Sequence, residues 1–93
     1  MGFAIFIAKI MDYDKWEPTI MEDIPLLKAN GAKSASILRD LDDPNRVIVT
    51  AEWENIENAK KFAESDELRA RMRAGGVIGI PELYFVKEEK VVF

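Results

Sequence analysis

Residues 3–10 read Phe-Ala-Ile-Phe-Ile-Ala-Lys-Ile and are apolar on both alternating faces. Successive side chains of a strand point to opposite sides of its sheet. One side therefore carries Phe3, Ile5 and Ile7, and the other carries Ala4, Phe6, Ala8 and Ile10. A strand that is apolar on both faces is normally covered on both faces. This stretch predicts a sheet with helices on one side and a second covering layer on the other.

A helix is predicted after this strand, ending at Asn30-Gly31. Asp14 is its predicted N-cap, and Glu17 completes an acidic variant of the capping box. The apolar residues recur at helical spacing and are Trp16, Ile20, Ile24 and Leu27. Pro25 leaves two interpretations open: it kinks this helix, or Asp23 caps a second short helix.

Residues 34–41 and 47–54 are predicted as two strands of a hairpin. The turn between them, Asp43-Pro44-Asn45-Arg46, has the composition of a type I turn. Asn55 is the predicted cap of the next helix, which restarts or bends at Ser65-Asp66 and ends at Gly75-Gly76. Residues 77–81 are interpreted as a connection, and residues 82–87 as the last strand.

The 93 residues suit a single domain, residues 1–93. The order β-α-β-β-α-β predicts an α+β, ferredoxin-like fold, a four-stranded antiparallel sheet with both helices on one face. A second copy that packs sheet on sheet would cover the other face, so we expect a homodimer. The apolar tail Val91-Val92-Phe93 either reaches across as an arm or folds over its own sheet.

The composition excludes several classes of site and partner. Cysteine and histidine are both absent, which excludes disulfides, thiolate nucleophiles and the commonest metal ligand. We expect no metal and no cofactor. The net charge is −4 with basic and acidic residues interspersed, so a nucleic-acid partner is not expected. The apolar stretches are too short to span a membrane, and no signal peptide is recognised, so we expect a cytoplasmic protein.

Three polar residues are candidate catalytic groups. Lys9 ends an apolar strand. It has a lowered pKa, binds an acidic substrate, or simply extends to water. Arg39 alternates with Ala35 and Ile37, and either holds a carboxylate or phenolate or pairs with a nearby acid. Glu52 is either a base or a solvated residue at the end of a strand.

Six further residues are candidates for contact with a small apolar or aromatic ligand. They are Tyr13, Trp16, Trp53, Phe62, Met72 and Tyr84. Large aromatic rings can stack on a flat ligand, and the tyrosines offer hydroxyl groups near a cavity mouth. The alternative for the tryptophans is packing in the core.

Several segments together resemble the antibiotic-biosynthesis-monooxygenase-like branch of the dimeric α/β-barrel superfamily. They are Asp12-Tyr13-Asp14-Lys15-Trp16, Asp42-Asp43-Pro44-Asn45, Glu52-Trp53-Glu54-Asn55, Phe62-Ala63-Glu64-Ser65-Asp66-Glu67-Leu68 and Ala74-Gly75-Gly76-Val77 with Gly79 and Pro81. The resemblance implies a homodimer whose two sheets form a barrel, with a small-molecule cavity between sheet and helices in each subunit. Characterised relatives include cofactor-independent oxygenases of polyketide quinones, quinol oxygenases and haem-degrading enzymes. Trp53 sits where the haem-degrading relatives carry a pocket tryptophan, but their first-strand asparagine and helix histidine have no counterpart here.

Two functions follow from these observations. The first is a small-molecule-binding homodimer that acts as a cofactor-independent oxygenase on a quinol or polyphenol. The alternative is a non-enzymatic ligand-binding or interaction module. A cavity filled by its own side chains would bind nothing, and the structure discriminates this case from the other two.

Overall fold

The predicted strands form one antiparallel sheet in a computed structural model that describes residues 2–93. The sheet order is β2-β3-β1-β4. The elements within residues 2–93 are β1 (Gly2–Ile10), α1 (Tyr13–Ala29), β2 (Ala32–Arg39), β3 (Arg46–Trp53), α2 (Ile56–Ala63), α3 (Asp66–Ala74) and β4 (Val77–Lys87). This is the predicted ferredoxin-like arrangement, with the second helix divided in two.

The strand register places one set of alternating residues against the helices. Ala4 pairs with Ala51 and Phe85, and Phe6 pairs with Val49 and Leu83. We call this side of the sheet the inner face. Its most buried residues belong to the core, which consists of Ala8, Ile10, Trp16, Val47, Val49, Ala51, Trp53, Ala59 and Phe62.

Helix α1 begins earlier than predicted and is uninterrupted. Asp12, not Asp14, is the N-cap, because its backbone is extended and its carboxylate accepts a hydrogen bond from the Asp14 N–H at 2.9 Å. The alternative of a second helix capped by Asp23 is wrong, since α1 runs through Pro25 to Ala29. Packing of Leu27 and its neighbour Leu26 against the sheet holds the helix together beyond the proline.

The chain between α2 and β4 also differs from the prediction. Helix α2 ends at Ala63 with Glu64 as its C-cap. Ser65 then caps α3, where its hydroxyl accepts from the Leu68 N–H at 3.2 Å. Strand β4 begins at Val77 rather than residue 82. Gly79, with φ of +70°, and Pro81 lie in a register irregularity opposite β1, so these residues bulge from the strand without ending it.

The opposite side of the sheet, which we call the outer face, carries none of the helices formed within residues 2–93. Its central residues are Phe3, Ile5, Ile7 and Ile48. At its edges Leu38 is 51% exposed and Tyr84 is 49% exposed. The tail residues Val91, Val92 and Phe93 are exposed and do not fold over the sheet of their own chain.

None of the helices within residues 2–93 has the length and apolar character needed to cross a membrane.

Candidate functional site

A cavity of about 100 Å³ lies between the inner face of the sheet and the helices. The walls are almost entirely apolar and include Phe6, Val49, Ala51, Trp53, Phe62 and Leu68. The sheet supplies small side chains at Ala4 and Ala51, and these leave the space open beneath the larger helical residues. An apolar cavity with a few polar groups on its wall is the usual form of a small-molecule site.

An ion pair between two helices forms part of the cavity wall. Arg71 of α3 donates from Nη1 to Asp23 Oδ1 of α1 at 2.5 Å, and from Nη2 to Glu67 Oε1 at 3.3 Å. The Asp23 side chain is 14% exposed, so its carboxylate is largely withdrawn from water. The bonds to Asp23 first, and to Glu67 second, raise the pKa of the Arg71 guanidinium above its ordinary value. Arg71 therefore stays charged at any physiological pH.

Two residues that line the cavity each carry a buried N–H donor without an acceptor among residues 2–93. The Nε1 atom of Trp53 and the Nε atom of Arg71 are buried, and neither has a hydrogen-bond partner among residues 2–93. Trp53 is 2% exposed and its ring is held by Phe62, with the ring centroids 6.1 Å apart. A buried polar group without a partner costs free energy, which a ligand oxygen or an ordered water can recover.

Four of the six predicted ligand-contact residues border the cavity, namely Trp16, Trp53, Phe62 and Met72. Tyr13 lies outside it, beneath the Arg39 guanidinium, which sits 4.0 Å from the centroid of the tyrosine ring. Tyr84 is on the outer face and donates to Glu82 at 3.2 Å.

The three predicted catalytic residues do not meet at this cavity. Lys9 is on the outer face and donates to Asp43 at 2.7 Å, while Arg39 donates from Nε to the Pro44 carbonyl oxygen at 2.7 Å. Glu52 pairs in register with Phe3 and therefore shares the outer face. The strand alternation explains why Lys9 and Glu52 point away from the cavity.

Asp23 and Arg71 were not among the residues selected from the sequence. A signal for Asp23 exists, because residues 16, 20, 23 and 27 have helical spacing and place a carboxylate on the apolar stripe of α1. Arg71 has a weaker signal in the sequence. It lies three residues after Leu68, so in a helix it shares a face with that apolar residue. Among residues 2–93, no cluster of three or more acidic side chains is arranged to hold a metal ion.

An open groove adjoins the cavity and forms its mouth. Asp66, Arg69 and Arg73 of α3 line one side, and the bulge at Gly79-Ile80-Pro81 lines the other. Five residues border both the cavity and the groove, which makes the two spaces continuous: Phe6, Ala63, Met72, Val77 and Leu83.

Several solved structures share this fold at low sequence identity. SnoaB, a cofactor-independent oxygenase from Streptomyces nogalater, aligns over 98% of this chain and 94% of its own, with a TM-score of 0.75 and 13% identity. Proteins assigned to the antibiotic biosynthesis monooxygenases align comparably. The one from Bordetella bronchiseptica covers 99% of this chain and 100% of its own, with a TM-score of 0.72 and 21% identity. The one from Caulobacter crescentus covers 96% of this chain and 90% of its own, with a TM-score of 0.75 and 15% identity. At these identities the likeness shows the fold alone.

The sequence comparisons are more specific about the family. No curated protein sequence matches the chain significantly. The family profile described as "Antibiotic biosynthesis monooxygenase" matches residues 14–74, from the start of α1 to the end of α3. This span contains Asp23, Trp53 and Arg71, and it covers well over half of the 93 residues. The chain therefore belongs to the antibiotic biosynthesis monooxygenase family.

Proposed function

We propose that this protein is a cofactor-independent oxygenase that oxidises a quinol or polyphenol in the cavity between sheet and helices. The observation that carries the proposal is the pair of buried, unpartnered donors, Trp53 Nε1 and Arg71 Nε, which belong to residues that line the same apolar cavity as Asp23. Family membership and the likeness to SnoaB, a cofactor-independent oxygenase, support this class of reaction.

The proposed chemistry needs a phenolic substrate in its anionic form. Asp23 accepts the proton of the substrate hydroxyl, and the Trp53 and Arg71 N–H groups donate to the resulting phenolate oxygen. Burial in an apolar site strengthens these hydrogen bonds. The anion is electron-rich enough to reduce oxygen directly, which is why no cofactor is required.

The reaction balances without another reductant. The substrate anion transfers an electron to O₂, and the resulting pair combines into a ring peroxide. Cleavage of the O–O bond leaves one oxygen atom as a carbonyl or hydroxyl on the former C–H carbon, and the other departs as water. All the electrons that reduce O₂ come from the ring, which ends as a hydroxyquinone.

Oxygen uptake with a panel of hydroquinones tests this proposal. We expect consumption above the free-solution rate, and a rate at least tenfold lower in Trp53→Phe, which keeps an aromatic ring but removes the N–H. Tyr13→Phe is the control, since Tyr13 lies outside the cavity. Saturable binding without oxygen uptake would contradict the enzyme and support the non-enzymatic ligand-binding module instead.

We also propose that the protein is a homodimer joined through the outer faces of two sheets. This face is apolar at its centre and carries exposed Leu38, Tyr84 and Val86. An exposed apolar sheet face of this kind is an association surface. A second copy related by a two-fold axis presents the same face and covers it.

A further inference from the structure

The mouth of the cavity carries two arginines that the oxygen chemistry does not use. Arg69 and Arg73 are four residues apart on α3, so they project from neighbouring positions on the same side of the helix. Arg69 lies 3.9 Å from Asp66, and this exposed pair is too weak to neutralise it. The groove thus presents a net positive charge in a protein whose net charge is −4.

The cavity behind this mouth is small. Its volume is about 100 Å³. A cavity of roughly 150 Å³ accommodates a benzene ring, and pockets for drug-sized ligands start at about 300 Å³. The enclosed space between sheet and helices therefore holds at most one aromatic ring, whose outer end extends into the continuous mouth, and is too small for a fused ring system.

We propose that the ligand is a single aromatic ring that carries a hydroxyl group at its buried end and a carboxylate at the opposite end. The ring occupies the cavity, and Arg69 and Arg73 hold the carboxylate at the mouth. The role of the buried hydroxyl rests on the proposed function, whereas ring size and the carboxylate contact are measured by binding alone.

Fluorine NMR titration with two matched probes tests the charge at the mouth. The first probe is 3-fluoro-4-hydroxybenzoate, and the second is 2-fluoro-4-methylphenol, which replaces the carboxylate by a methyl group. We expect the carboxylate probe to bind about three to ten times more tightly, the range for two exposed ion pairs. The advantage should shrink in high salt, because exposed charges are screened.

Variants assign that advantage to the two arginines. Arg69→Gln combined with Arg73→Gln should remove it and leave binding of the methyl probe unchanged. Lys60→Gln combined with Lys61→Gln makes the same change in net charge on α2, away from the cavity and its mouth, and should leave both affinities as in the wild type.

A competition experiment tests the size limit. The two-ring 6-hydroxy-2-naphthoate should displace the carboxylate probe at least ten times less effectively than 4-hydroxybenzoate does. Met72→Ala, which removes a side chain that borders both cavity and mouth, should reduce that difference. Thermal unfolding of each variant verifies that it is folded.

The outcomes separate this inference from the proposed function. Equal binding of the two fluorinated probes, or equal displacement by one-ring and two-ring acids, would overturn the inference even if hydroquinones are oxidised. Preferred binding of the one-ring carboxylate without any oxygen uptake would uphold the inference and overturn the oxygenase.

Discussion

Asp23 presents a carboxylate to a cavity whose other walls are mostly carbon. It is held there by Arg71, and the two residues come from different helices, α1 and α3. The pair is half-buried and joins the two helices, so removing one partner leaves the other charge without its ion pair in a partly desolvated position. In the proposed reaction the same carboxylate accepts the substrate proton.

Asp23→Asn tests this role. We expect oxygen uptake to fall by roughly a hundredfold or more, because positioned general bases contribute about 10²–10⁴ to a rate. The amide keeps the size of the side chain but cannot accept the proton at neutral pH. Steady-state oxygen electrode measurements give the rate.

Glu22→Gln is the matched control, an exposed neighbour that is not part of the cavity wall. An Asp23→Asn variant that is folded and retains the wild-type rate would remove Asp23 from the mechanism.

At the scale of elements, the turn between β2 and β3 is held by carboxylates. Asp40 accepts from the N–H groups of Asp42 and Asp43 at 2.8 and 3.0 Å, and from Arg46 at 3.1 Å. These bonds, with the Asp42 N–H contributing most, lower the pKa of Asp40 below its ordinary value of 3.8. The turn is thus a pH-sensitive part of the fold.

Asp40→Asn should lower the melting temperature at neutral pH. The folded pKa lies below that of the unfolded chain, so the ionised group stabilises the fold above pH 3.8. That stabilisation is lost as the pH falls through the folded pKa, and the variant and wild type should converge there. Circular dichroism melts across this range measure the difference. Asp42→Asn is the control, because Asp42 contributes its backbone N–H to the turn.

Pro25 lies in the interior of α1, where it cannot donate a backbone hydrogen bond. Pro25→Ala should raise the free energy of unfolding by about 1–2 kcal/mol. This is the gain from the higher helix propensity of alanine minus the loss from the greater conformational freedom that alanine gives the unfolded chain. Urea denaturation measures it. Pro44→Ala, in a turn that suits proline, should bring no gain. A decrease for Pro25→Ala would mean that the proline ring contributes packing that alanine cannot replace.

At the scale of the whole molecule, the uncovered outer face is the proposed dimer interface. Ile5 lies near its centre, paired with Thr50 on one side and Tyr84 on the other. Ile5→Glu should convert the proposed dimer into a monomer, because each charge would be buried against apolar side chains of the partner. Light scattering at low micromolar concentration reports the mass.

Leu41→Glu introduces the same charge at an apolar residue that is fully exposed in the β2–β3 turn, and it should leave the dimer mass unchanged. A wild-type mass of a single chain would contradict the dimer altogether.

Sequence periodicity was sufficient to predict the fold. The two-faced stretch 3–10 and the predicted strand at residues 47–54 are local patterns, and the structure forms paired strands from both. The element ends at Asp12 and Val77 were missed. The cap depends on which carboxylate reaches an N–H group, and the strand start depends on a bulge that pairing with β1 stabilises.

The sequence alone determined the order of the elements, the apolar stripe of α1 and the absence of cysteine and histidine chemistry. It did so because these properties depend on neighbouring residues or on composition. Only the tertiary structure decided which polar residues meet. Asp23 and Arg71 are 48 residues apart and touch because α1 and α3 pack on the same sheet face. Lys9 and Glu52 face away from the cavity because the strand pairing turns their side chains to the outer face.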